Sequence, residues 1–214
     1  MGLKRRLAPW VARHLFERGD FIETAPETRL EDYGLDDPER VRYVATSRLV
    51  VPWVLRRIEV GPDDVFIDFG SGKGRVVYQA ARFPFKRVIG VEIAEELNRV
   101  ARYNIDHNRD RLVCGEVELV TEDAVSYAVP DDVTVAYFYH PFEGRTFARV
   151  IDNLVASLDR NPRQLRIIYV YPMSAAYVLE TERFELERKM KAPRPALRQW
   201  HDVLIFRSKA PAVR

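Results

Sequence analysis

A single cysteine, Cys114, in 214 residues excludes an internal disulfide and any zinc cluster built from several thiolates. Long apolar runs are missing as well. None approaches the roughly 20 residues a membrane span needs. The basic start MGLKRRLAPWVARHLF lacks the apolar stretch of a secretory signal, because Arg13 interrupts it. Gly2 is followed by Arg6 where a myristoylation signal wants Ser or Thr. A reducing, cytoplasmic setting with no membrane partner is the expectation. No sign of charge dominates: 34 basic residues face 32 acidic ones, which argues against nucleic acid as partner. Lysine is scarce. Only Lys4, Lys73, Lys86, Lys189, Lys191 and Lys209 occur, and the other basic residues are arginine. A GC-rich genome or recognition of an anion by planar guanidinium forks would each produce that bias. The arginines are scattered along the chain, which favours the first.

The length fits one domain over 1–214. Leu3, Leu7, Trp10, Val11 and Leu15 recur at helical spacing, so the chain opens on an amphipathic helix. Residues 19–37 form a polar connector. Residues 38–58 read as two short helices around Thr46 and Ser47, with Pro52 early in the second. Together these make an N-terminal helical cap, 1–58. From residue 63 strands and helices alternate. The strands are VFIDF (65–69), RVIGV (87–91), VELV (117–120), VTVAYFY (133–139) and LRIIYVY (165–171). The helices between them are 72–83, 94–108, 147–158 and 173–180. That alternation predicts a parallel α/β sheet covered on both faces. FELERKM (184–190) and DVLIFRS (202–208) follow with no helix between them, which predicts an antiparallel hairpin closing the sheet. Core and hairpin span 59–208, and 209–214 is a loose tail.

The stretch FIDFGSGKGR (66–75) runs from an apolar strand through Asp68 into Gly70, Gly72 and Gly74, and then into a helix. Glycines there allow a sharp turn and close approach of a ligand. Three readings compete. A mononucleotide phosphate loop needs G-x-x-x-x-G-K-[ST], and the position of Lys73 breaks that pattern. A dinucleotide loop needs G-x-G-x-x-G, and Arg75 stands where its third glycine belongs. An adenosyl ligand without pyrophosphate accounts for Asp68, since a carboxylate repels phosphate and suits an ammonium group. Glu92, about 20 residues on, closes the second strand and can accept both hydroxyls of a ribose.

The run D-F-G-S-G-K-G, V-E at the end of the second strand and E-D-A at 122–124 resemble the class I S-adenosylmethionine-dependent methyltransferases. The resemblance spans about 63–208. It implies a Rossmann-like, seven-stranded, mostly parallel sheet with helices on both faces, a C-terminal antiparallel hairpin and an N-terminal helical cap. It further implies that Gly70, Ser71, Gly72 and Gly74 surround the methionine part of the cofactor and that Asp68 faces its amino group. Glu92 would hold the ribose, and Ile93 would pack on the adenine. Asp123 and the Ala124 backbone would meet the adenine amino group; a turn or cap role for Asp123 is the alternative. Tyr43 and Thr46, with Arg42 or Arg48 nearby, would close over the cofactor carboxylate as the pre-core segment does in non-SET histone lysine methyltransferases, or else cap a surface helix. A Rossmann-like domain with a different ligand site remains an alternative for the whole.

In this fold the chemistry lies outside the carboxyl ends of the strands. The fourth strand ends in Tyr139-His140-Pro141-Phe142. That run resembles the N-P-P-[YF] motif of amino-group methyltransferases, but His140 replaces the amide, which argues against methylation of nucleic-acid bases. Tyr139 and His140 are the candidate catalytic residues. His140 would orient or deprotonate the acceptor, or simply stabilise its turn. Tyr139, Phe142, Tyr171 and Pro172 suggest an aromatic wall around the acceptor. No acidic ligand set follows the fourth strand, so no metal is expected. A small-molecule O or N acceptor is the leading expectation, because core and cap leave no room for a separate macromolecule-binding domain. Methylation of a protein lysine or peptide terminus is the alternative, and a non-catalytic cofactor-binding protein the third reading. The N-terminal helix could act as a lid, dock on the sheet edge or form a homodimer contact.

Overall fold

A computed structural model describes residues 47–194 and 199–209. The N-terminal helix, the connector, Tyr43 and Thr46 lie outside the described residues. The elements in order are α1 (Val50–Leu55), β1 (Val65–Phe69), α2 (Arg75–Ala80), β2 (Arg87–Glu92), α3 (Glu95–Asp106), β3 (Glu116–Thr121), β4 (Val135–Tyr139), α4 (Gly144–Arg160), β5 (Arg166–Val170), α5 (Ala175–Glu180), β6 (Phe184–Arg194) and β7 (Gln199–Ser208). One sheet of seven strands runs β3-β2-β1-β4-β5-β7-β6. The first five strands are parallel, and β7 pairs antiparallel with both β5 and β6.

Burial follows the two-residue period of the strands. Val65, Ile67 and Phe69 of β1 face one side and meet Ile89, Val91, Phe138, Ile167 and Tyr169. Helix α4 covers that face with Phe147, Val150, Ile151, Leu154 and Leu158, spaced as one helical stripe. Phe66, Val88, Tyr137 and Ile168 point the other way, to α1 and α2. Chain connections leave β1 toward β2 on one side and enter β4 on the other, so the strand order reverses between β1 and β4. That switch point is where open α/β sheets leave a crevice at the carboxyl edge.

Several boundaries differ from expectation, each for a local reason. The helix expected over 72–83 covers only Arg75–Ala80, because Gly72 and Gly74 have φ of 54° and 77° and stay in the turn. Helix α4 begins three residues early, at Gly144, and ends at Arg160. β6 pairs with β7 as far as Arg194, with a register shift between Leu186 and Arg188. Ser47 does not cap α1. Leu49 occupies that position, with no side-chain cap bond.

Candidate functional site

The carboxyl ends of β1, β2 and β4 meet around the glycine turn. Gly70 and Ser71 both donate their N–H to the Val91 carbonyl of β2, at 2.9 and 3.0 Å. This folds the turn over the end of its neighbour strand. Gly74 donates to the Ser71 carbonyl at 2.9 Å and starts α2. Two of the glycines are required by space. A Cβ on Gly70 would lie 2.6 Å from Pro141 Cβ, and one on Gly74 would lie 2.8 Å from Ala101 Cβ. The turn therefore packs directly on the end of β4, and Pro141 of the Tyr-His-Pro-Phe run touches the loop. Asn104 of α3 steadies the turn from behind, donating to the Lys73 carbonyl at 2.9 Å.

Two carboxylates are buried in this crevice. Glu92 accepts from the Gly72 N–H through Oε2 at 2.7 Å and from the Ala94 N–H through Oε1 at 3.0 Å. Burial, and then the nearby negative charge of Glu92, push the Asp68 carboxyl well above its ordinary range. Ser71 Oγ is buried and meets no hydrogen-bond partner among the described residues. Two buried acids and an orphaned hydroxyl at a turn of left-handed glycines fit a cationic adenosyl ligand. They do not fit a pyrophosphate, which the acids would repel.

Ile93 is half-buried and follows Glu92 directly. The Glu122 N–H donates to the Glu92 carbonyl at 3.0 Å, which brings Asp123 to the same rim. Asp123 Oδ1 accepts from the Val125 N–H at 3.0 Å and its carbonyl from Ser126 and Tyr127, so Asp123 shapes its turn. Ala124 is buried beside it. Asp68, the glycine turn, Glu92, Ile93, Asp123 and Ala124 are thus gathered along one edge.

The end of β4 is more unusual. His140 is buried and its backbone is left-handed, with φ 46°. Its Nε2 meets Glu143 Oε1 at 2.8 Å. Its Nδ1 lies 3.5 Å from the Tyr169 hydroxyl, which also accepts the Ser174 N–H at 3.3 Å. Both imidazole nitrogens therefore face protein atoms. Sequence reasoning misses Glu143, although its place three residues past His140 across a tight turn is a readable signal. Tyr139 is half-buried on the sheet face that carries Phe66, Val88, Tyr137 and Ile168. Phe142 corrects the expectation of an aromatic acceptor wall. It lies in the core, 6.2 Å from the rings of both Phe138 and Phe147. Tyr171 and Met173, past β5, are the exposed side chains here, at 48% and 65%. Burial raises the Cys114 thiol, and its Sγ donates to the Glu116 carbonyl at 3.4 Å, which does not suit a nucleophile. Among the described residues no helix is long and apolar enough to cross a membrane.

Comparison with known proteins adds partial matches. The model of a family described as histone methylation protein DOT1 matches residues 29–121. A protein-lysine N-methyltransferase from Saccharolobus islandicus is 34% identical over 99 residues, covering 46% of this chain and 60% of that one. A histone-lysine N-methyltransferase, H3 lysine-79 specific, from Drosophila melanogaster is 36% identical over 94 residues, 44% of this chain and 5% of that one. The chain thus spans three fifths of the archaeal relative and a twentieth of the fly one. A solved S-adenosylmethionine-dependent methyltransferase from Methanosarcina mazei superposes with a TM-score of 0.58 at 15% identity, over 75% of this chain and 98% of that one. With the strand order, the terminal hairpin and the acid-flanked glycine turn, these matches support the fold and methyl-transfer activity of a class I S-adenosylmethionine-dependent methyltransferase.

Proposed function

We propose that this chain transfers the methyl group of S-adenosylmethionine to the ε-amine of a protein lysine. The observation that carries the acceptor class is the open, apolar rim beside His140, where Tyr171 and Met173 stand exposed. A small acceptor needs a closed pocket to bury most of its surface. A polypeptide can bring its own surface to cover such a rim. The exposed Glu143 carboxylate at the same rim suits an approaching ammonium group. The lysine methylation for which the archaeal and fly relatives are named supports the same reading.

In this proposal the Gly70, Ser71, Gly72 and Gly74 turn holds the methionine part of the cofactor and Asp68 meets its amino group. Glu92 holds the ribose, Ile93 packs on the adenine, and Asp123 and the Ala124 backbone flank the adenine edge. Tyr43 and Thr46 close the carboxylate end. Bound there, the cofactor would supply an electrophilic methyl on a sulfonium to a lysine amine that has already given up its ammonium proton to solvent. The chain's own part is positioning, which can supply much of the rate of a bimolecular displacement. His140, tied to Glu143, sets the β4–α4 turn that orients the acceptor, and Tyr139 supports it from the strand.

The test is transfer of labelled methyl from S-adenosylmethionine to a cell extract divided into protein and small-molecule fractions. Label recovered as methyllysine by peptide mass spectrometry is the expected result. Label confined to the small-molecule fraction would replace the lysine reading with a small-molecule one. His140→Ala should keep cofactor affinity and lose most of the turnover.

A further inference from the structure

Tyr171 is the first residue past β5, and its backbone has φ 55°. Left-handed geometry is ordinary for glycine and an outlier for a bulky side chain, whose Cβ crowds the next carbonyl. Among the described residues His140, Tyr171 and Glu182 are the non-glycine cases. Glu182 closes the turn after α5, donating its N–H to the Leu179 carbonyl. The other two end the paired strands β4 and β5. Their rings stand edge-to-face with centroids 5.5 Å apart.

The backbone at Tyr171 is pinned. Its N–H donates to the Asp202 carbonyl of β7 at 3.0 Å, and its own carbonyl accepts from Met173 at 2.9 Å. Glycine would keep both bonds without crowding. Core packing does not explain the ring either, since Tyr171 is half exposed. The ring stands against His140. Strain of this kind persists where the surrounding structure holds it, and it gathers at functional sites.

We propose that Tyr171 is a positioning and specificity residue for the methyl acceptor. Its ring, held out by a left-handed backbone, braces the His140 imidazole that Glu143 grips through Nε2, and presents an aromatic wall to the incoming amine. An aromatic ring and the Glu143 carboxylate, one imidazole apart, suit an alkylammonium chain rather than an anionic or purely apolar acceptor. The inference rests on the assignment of the β4 end as the place of transfer.

The experiment compares Tyr171→Gly and Tyr171→Phe with the wild type, using whichever acceptor the wild type labels. The glycine variant should melt at the wild-type temperature or up to about 4 °C above it. It should bind S-adenosylhomocysteine normally and lose at least about tenfold in kcat/KM. Tyr171→Phe, which keeps the ring, should recover activity to within about threefold by the same measure. NMR of the His140 ring protons gives a readout that needs no acceptor: their shifts move in the glycine variant and return in the phenylalanine one. A glycine variant that melts well below the wild type makes the ring ordinary packing and overturns the proposal. Wild-type turnover in Tyr171→Gly, a phenylalanine variant as defective as glycine, or His140 shifts unmoved by glycine would each overturn it too. A wild type that labels only small molecules refutes the lysine reading and leaves this comparison to be made on that acceptor.

Discussion

The two edges of the sheet are built from similar residue types and treat them differently. At the amino edge the charges cancel. Arg87 bridges Glu118 at 3.1 Å and Asp132 at 2.8 Å, Lys86 meets Asp132 at 3.5 Å, and Arg160 holds Asp131 at 2.7 Å. Arg163 spends its guanidinium on carbonyls, at 2.6 Å from Val133, 3.0 Å from Ser157 and 2.9 Å from Asn161. At the carboxyl edge two acids are buried together, a serine hydroxyl is orphaned, and His140 and Tyr171 accept left-handed backbones. The Glu95–Arg102 pair there is exposed and lies outside the crevice. An edge whose only task is to hold the fold settles its polar groups internally. An edge that binds leaves them to be settled by a ligand. Much of the arginine at the amino edge staples loops, a use for which a planar fork suits better than lysine.

Substitutions at the two edges should therefore fail in different ways. Glu92→Ala carries the largest expected effect. It removes a charged acceptor for two backbone donors and, in the proposed site, for the ribose, and should weaken cofactor binding by about 1.5–3 kcal/mol, as measured by calorimetry. Arg163→Ala should cost about 1–2 kcal/mol of unfolding free energy in urea and leave the cofactor dissociation constant unchanged. A change in that constant would break the division between the edges.

Asp68 gives a pH signature. Its native carboxyl holds a proton more tightly than the unfolded chain does, so the contribution of Asp68 to the stability of the ligand-free protein is greatest below the ordinary aspartate range. That stability falls as pH rises toward the raised native value. Asp68→Asn should flatten the decline in a series of thermal melts. In the proposed site an ammonium group seated against Asp68 would ionise it, so the wild type should release a proton on cofactor binding. Binding heats that depend on the buffer's ionisation enthalpy in that window, and lose the dependence in Asp68→Asn, are the expected result. Asp132→Ala should do least. Its ion pairs are partly exposed, and a loss within about 1 kcal/mol with no change in binding is expected.

Much of the fold, and the gathering of residues in the candidate crevice, is legible in the amino-acid sequence alone. Strands such as VFIDF and RVIGV declare themselves because parallel strands are buried on both faces and read as continuous apolar runs. Asp68, the glycines and Glu92 declare themselves through spacing along one βαβ unit, which is local in the chain. What stays hidden depends on distance along the chain or on backbone angle. The contact of Gly70 with Pro141 joins residues 71 apart in sequence. Nothing in the residue types at Tyr171 and His140 announces a left-handed conformation, which most tyrosines and histidines avoid. Phe142 reads equally well as pocket or core, and the packing of α4 decides for core.

In the proposed function the carboxyl edge is a preformed S-adenosylmethionine site and the amino edge is not. Isothermal titration of S-adenosylmethionine into the wild type, Glu92→Ala and Asp132→Ala tests it most directly. Saturable one-site binding is expected in the wild type, with Asp132→Ala the same and Glu92→Ala at least about tenfold weaker. Equal affinity in all three, or no saturable binding by the wild type, would contradict it.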